Sequence, residues 1–75
     1  MARPQPIDDV SKGEGVLRLG QFLQMAGLVD SGGEAKEVIR EGLITVNGEV
    51  DERRGRQLAV GDVVAFGGRR ARVAE

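Results

Sequence analysis

Seventy-five residues with two phenylalanines and no tryptophan or tyrosine allow one domain built around a small aliphatic core. Cysteine and histidine are both absent, which excludes disulfides, thiolate ligands and the Ser-His and Cys-His pairs of nucleophilic catalysis. The net charge of −1 hides an asymmetry: residues 1–52 carry five cations against ten acids, whereas residues 53–74 carry six arginines against a single acid, Asp62.

In chain order, residues 1–14 contain both prolines and little apolar material, and are expected to be a flexible lead-in with Ile7 or Val10 tucked against a domain that spans 15–75. Residues 15–19 predict a short strand with Leu17 and Leu19 facing inward and Arg18 outward. Leu19, Phe22, Leu23 and Ala26 then fall at i, i+3, i+4 and i+7, the spacing of an amphipathic helix that Gly27 closes. Gln21 and Gln24 belong to its solvent side, while Leu28 and Val29 are expected to pack between this helix and the next. Ser31 can cap a second helix, in which Ala35, Val38 and Ile39 share the buried face and Lys36 and Arg40 stack one turn apart on another. Gly42 stops it, residues 43–46 read as a strand, and Asn47-Gly48 is a hairpin turn.

Beyond the turn, Glu49-Val50 returns as a very short strand, and residues 51–56 form a charged loop without an apolar side chain, expected on the surface. Residues 57–60 lead to a turn at Gly61-Asp62. Val63–Phe66 and Arg69–Ala74 are two strands joined at Gly67-Gly68, with Arg70 and Arg72 on one face and Ala71 and Val73 on the other. Two helices followed by several short strands indicate an α+β domain.

The candidate functional residues are polar and cationic. Nine of the eleven cations are arginine, whose planar fork suits bidentate phosphate contacts, although a solvated arginine-rich loop with no partner accounts for the charge equally well. Gly32 and Gly33 at a helix start could let a phosphate approach free N–H groups, but on this feature alone a flexible capped connector is the favoured reading, and no nucleotide-binding glycine fingerprint exists. Asp8-Asp9 and Asp51-Glu52 read as solubilising charge, and no carboxylate set has metal-ligand spacing; neither enzyme activity, metal nor cofactor is expected. No apolar run approaches the roughly 20 residues of a membrane helix. The N-terminus lacks a signal-peptide core, so the cytoplasm is the expected location.

The ordered set Leu19-x-x-Phe22-Leu23, Gly27-Leu28-Val29-x-Ser31, Glu34-Ala35-Lys36, Ile39-x-x-Gly42-x-Ile44-x-Val46-Asn47-Gly48 and Gly61-Asp62 resembles the S4 RNA-binding domain. The run with Gly32-Gly33 and Arg53-Arg54-Gly55-Arg56 is similar to the small stand-alone bacterial members, and the resemblance covers residues 16–74. It implies an S4-like (αL) fold, with two antiparallel helices on a small bent antiparallel sheet. It also implies binding of structured RNA, ribosomal or transfer RNA in type, by a monomer or as part of a larger ribonucleoprotein. Carried over position by position, it points to Ser31, Gly32, Gly33, Lys36 and Arg40, with Arg53, Arg54 and Arg56 as the loop contribution. Two positions depart from the pattern: Gly32 stands where an arginine usually follows the serine, and Gly20 where an aspartate often follows Arg-Leu. The 53–56 cluster is the candidate replacement for the lost cation. Of the two phenylalanines, Phe22 is assigned to the core, so stacking of single-stranded bases on aromatics is not expected; folded RNA gripped by arginine and shape is.

Two readings from other classes compete. Residues 63–73 could be an exposed sheet edge that adds a partner's strand, with Arg69, Arg70 and Arg72 guarding it against aggregation. Val46-Asn47-Gly48-Glu49, Gly61-Asp62 and Gly67-Gly68 resemble parts of ubiquitin-like carriers, but the chain continues seven residues past Gly68, and two helical patterns stand where such proteins open with a hairpin.

Overall fold

A computed structural model describes residues 7–75. The elements are β1 (Ile7–Ser11), β2 (Leu17–Arg18), α1 (Leu19–Met25), α2 (Gly32–Arg40), β3 (Thr45–Val46), β4 (Glu49–Val50), β5 (Gln57–Leu58), β6 (Val63–Phe66) and β7 (Arg69–Ala74). The two helices pack together and against a five-stranded sheet of order β1-β7-β6-β3-β4, beside a two-stranded ladder of β2 and β5. The class is α+β, as the element order predicts.

Both helices stop in the same way. At the end of α2 the Leu43 N–H reaches back to the Val38 carbonyl at 3.0 Å and the Gly42 N–H to Ile39 at 3.1 Å. Leu28 and Gly27 repeat the pattern on Leu23 and Gln24 after α1, at 2.9 and 3.1 Å. Gly27 and Gly42 have φ of 69° and 75°, the left-handed conformation this stop requires. The apolar stripes behave as their spacing dictates: Leu19, Phe22 and Leu23 from α1 and Ala35, Val38 and Ile39 from α2 are buried together with Ile44, Val46, Val64, Ala71 and Val73 from the sheet side. Leu28 and Val29 are buried in the same cluster.

The Asn47-Gly48 turn is tied to the Gly61-Asp62 turn. Asn47 Nδ2 donates to Asp62 Oδ1 at 3.0 Å, and Asn47 Oδ1 accepts from the Val63 N–H at 2.9 Å. Asp62 Oδ2 in turn accepts from the Ala59 N–H at 2.9 Å. Two motifs separated in sequence are thus one hydrogen-bonded unit that fixes β3 against β6.

Several expectations need correction. Residues 7–11, assigned to a flexible lead-in, form strand β1, which runs parallel to β7 with Ile7 opposite Arg70 and Ser11 opposite Ala74. Val10 packs against the core, and Asp9 accepts from Arg72 Nε at 2.7 Å. The rest of the lead-in, residues 1–6 with both prolines, lies outside the described residues. The sheet is consequently mixed rather than wholly antiparallel. The same strand removes the exposed edge assigned to residues 63–73: β7 is covered by β1, and β6 lies between β7 and β3. The predicted strand over 43–46 pairs only at Thr45–Val46, leaving Leu43 exposed. Finally, the loop 51–56 is not wholly on the surface, because Asp51 is 5% exposed.

Candidate nucleic-acid interface

The loop after β4 has no apolar side chain to anchor it, yet three kinds of polar contact hold it. The first N–H groups of a helix lack intrahelical partners, and here the loop supplies them: Leu19 N–H donates to the Arg56 carbonyl at 2.9 Å and Gly20 N–H to the Arg54 carbonyl at 3.1 Å. Arg18, at the α1 cap position, reaches across with Nη1 to the Gly55 carbonyl at 2.7 Å. The third contact is centred on Asp51. Its Oδ1 accepts from the Arg53 backbone N–H at 2.9 Å and from Arg53 Nε at 3.1 Å, and its Oδ2 accepts from Arg53 Nη2 and Arg56 Nη1, both at 2.8 Å. The Arg53 guanidinium hydrogen bonds hold the Asp51 carboxyl well below the usual carboxylate range, against the opposing effect of burial; the Arg53 N–H and Arg56 add to the depression.

This arrangement divides the arginine cluster. Arg53 and Arg56 face one buried carboxylate, whereas Arg54 points the other way. Its aliphatic stem lies over Gly20, so close that a Cβ there would meet Arg54 Cγ at 2.9 Å. Arg54 forms one wall of an open groove of about 620 Å³ between the loop and the two helices. Arg18 and Gly55 share the loop side, Gln21 and Gln24 rise from α1, and Gly20, Gly32 and Ala35 line the remainder. Both glycines at which the sequence departs from the S4 pattern therefore border one groove, which holds two arginines and no acid.

Around the first turn of α2, Ser31 is the N-cap, its hydroxyl accepting from the Glu34 N–H at 3.1 Å. Glu34 reaches back to accept from the Asp30 N–H at 2.8 Å. Glu34 in the first turn and Arg40 in the last complement the helix dipole. These contacts offset two glycines, which each disfavour a helix by up to about 1 kcal/mol relative to alanine. Farther along, Gly33, Lys36, Glu37 and Arg40 line a smaller depression of about 230 Å³. Lys36 and Arg40 come together there as their spacing predicts, with Glu37 at 4.0 Å from Arg40 in an exposed pair, a geometry of little energetic weight.

Of the eight residues singled out from the sequence, Gly32 and Arg54 meet in the groove, and Gly33, Lys36 and Arg40 meet in the adjoining depression. Ser31 caps the helix that joins the two, and Arg53 and Arg56 are turned to Asp51. Sequence reasoning passed over Arg18, Gln21 and Gln24. The i, i+3 spacing of the glutamines put them on the outer face of α1, but nothing local signals that a loop more than 25 residues away closes over that face.

Comparison with known proteins bears on this geometry. The family model for the S4 domain matches residues 12–74. The chain belongs to the S4 domain family. Its sequence is 47% identical over 68 residues to the "Probable ribosome maturation protein RlbA" of Bacillus subtilis (strain 168), covering 91% of this chain and 89% of that protein. Its structure is similar to the solution structure of YbcJ from E. coli, described as revealing an αL motif involved in RNA-binding. The TM-score is 0.70 at 30% identity, with 100% of this chain and 96% of the other covered. The αL fold is thereby shared along the whole S4 domain, and membership in this family sets aside the ubiquitin-like reading. Among the described residues, no helix is long and apolar enough to cross a membrane, and no group of three or more carboxylates could hold a metal ion.

Proposed function

We propose that this S4 domain is a non-enzymatic RNA-binding module that grips folded ribosomal RNA during maturation of the ribosome, acting as a monomer in the cytoplasm. The observation that carries the reading is the pair of arginines, Arg18 and Arg54, in a groove without any acidic lining, with Lys36 and Arg40 in a second depression that begins at the next residue, Gly33. A chain of net charge −1 gains a phosphate-binding surface only by segregating charge, and the groove lined by Arg18 and Arg54 without an acid is where the segregation occurs. Likeness to a protein named for ribosome maturation and to one described as carrying an RNA-binding motif supports the same direction.

In this mechanism Arg54, Arg18, Lys36 and Arg40 contact phosphates, Ser31 and the Gly32-Gly33 segment lie against sugar or phosphate, and Arg53 and Arg56 act through Asp51 by holding the loop that carries Arg54. RNA that co-purifies with the protein at low salt, then at high salt, identifies the target. Enrichment of one ribosomal RNA precursor that falls away as salt rises is the expected result, with log K dropping by about 0.7–0.9 per phosphate neutralised. Binding that is absent, or insensitive to salt, would remove the electrostatic mechanism.

A further inference from the structure

The groove holds more than a phosphate contact requires. Besides its arginines it offers two carboxamides one turn apart on α1, and these differ in state. Gln21 Oε1 accepts from the Arg18 backbone N–H at 3.2 Å, which leaves its NH2 group as a donor. The Gln24 amide makes no hydrogen bond to a described residue; its Nε2 stands 3.1 Å from the position a Cβ would occupy at Gly32. A carboxamide presents a donor and an acceptor side by side, the pairing that reads the edge of a nucleobase. Arginine supplies a flat guanidinium on which a base can lie where no aromatic ring is available, and neither phenylalanine lines the groove.

The backbone makes the room. Gly20 and Gly32 border the groove from the two helices, and a side chain at either would intrude on Arg54 or Gln24. Neither glycine has a positive φ, so backbone conformation does not require glycine at these positions; space in the groove is what a side chain there would take up.

We infer that this groove seats a single unpaired nucleotide extruded from a folded RNA, its phosphate on Arg18 and Arg54 and its base edge on Gln21 and Gln24. The inference rests on the RNA-binding reading and adds a ligand class to it. A paired helix presents its phosphates on a convex surface, keeps its Watson–Crick edges engaged and cannot insert a base into the groove, so it can use Lys36 and Arg40 but offers the carboxamides no free Watson–Crick edge.

The test is equilibrium binding of the full chain to a duplex RNA with no bulge and to four otherwise identical duplexes, each with one unpaired nucleotide of a different base. At least one bulged duplex is expected to bind about tenfold more tightly than the unbulged one, the size of one good polar contact. Gln24→Ala is expected to abolish that preference while leaving affinity for the unbulged duplex unchanged, whereas Lys36→Ala should weaken all five duplexes alike. Gly32→Ala provides a check on folding: it should raise helix stability and reduce the preference, because its methyl crowds the Gln24 amide. Equal affinity for bulged and unbulged RNA, or a preference that survives Gln24→Ala, would overturn the inference and leave the RNA-binding reading standing. Failure to bind any of the five would overturn both.

Discussion

Arg53 and Arg54 are neighbours in sequence and opposite in physical situation. Arg53 donates through Nε and Nη2 to both oxygens of a buried carboxylate, while Arg54 lays its stem over Gly20 and extends its charge into an open groove without acids. The same contrast holds on a larger scale between the Asp51 cluster and the two depressions beside α2. In the cluster, two arginines share one buried carboxylate and fix a loop; lining the groove and the neighbouring depression, Arg18, Arg54, Lys36 and Arg40 face a single acid, Glu37. The number of arginines in a segment is therefore a poor guide to its capacity for phosphate. What matters is how many of them have no acid facing them.

Substitutions can separate the two regions. The largest effect on stability is expected from Asp51→Ala, which leaves half-buried Arg56 without its carboxylate and releases Arg53 from the loop. A loss of about 2–3 kcal/mol in denaturant unfolding is predicted, and a loss well under 1 kcal/mol would mean the loop is held by backbone contacts alone. Next in size is Arg54→Ala, which should weaken RNA binding about tenfold, or about 1.4 kcal/mol, with an unchanged midpoint of thermal unfolding. A fall in the midpoint comparable to that of Asp51→Ala would show that Arg54, too, is structural.

The acid limb of stability sharpens the same distinction. Asp51 is depressed from an ordinary value of 3.8 in the folded state, so the stability it contributes is fully present above about pH 4. That contribution is lost as the pH falls toward the depressed value. Unfolding free energy measured from pH 5 to pH 2 should decline in the native protein and decline less steeply in Asp51→Asn, which begins lower. Identical slopes would refute the assignment. The smallest effect is expected from Asp9→Asn. Its bond to Arg72 across β1 and β7 is an exposed pair, and such pairs contribute little, so the thermal midpoint should barely move.

Much of the fold was legible because it depends on local rules. The helix stripes, the serine cap, the glycine stops and the Asn47-Gly48 turn each follow from residues within a few positions of one another. β1 was not legible, since its partner β7 lies at the other end of the chain and residues 7–11 carry only two apolar side chains with which to announce a strand. The burial of Asp51 was hidden for a related reason. A carboxylate enters a core only when its lone pairs are satisfied, and its donors are arginines that the sequence presents as solvent-facing charge. The groove was half visible: Gly32 and Arg54 were singled out, but the Leu19 and Gly20 N–H groups that open α1 are met by carbonyls of the 51–56 loop, and that long-range contact brings Arg18, Gln21 and Gln24 to the site.

The most direct test of the account compares the salt dependence of RNA affinity in Arg54→Ala and Arg53→Ala, each measured against the native protein with one folded ribosomal RNA fragment. Removal of Arg54 should reduce the slope of log K against log[salt] by about one phosphate's worth, 0.7–0.9, and removal of Arg53 should leave the slope unchanged. The reverse outcome, or equal reductions from both, would contradict the division between arginines that hold the loop and arginines that hold RNA.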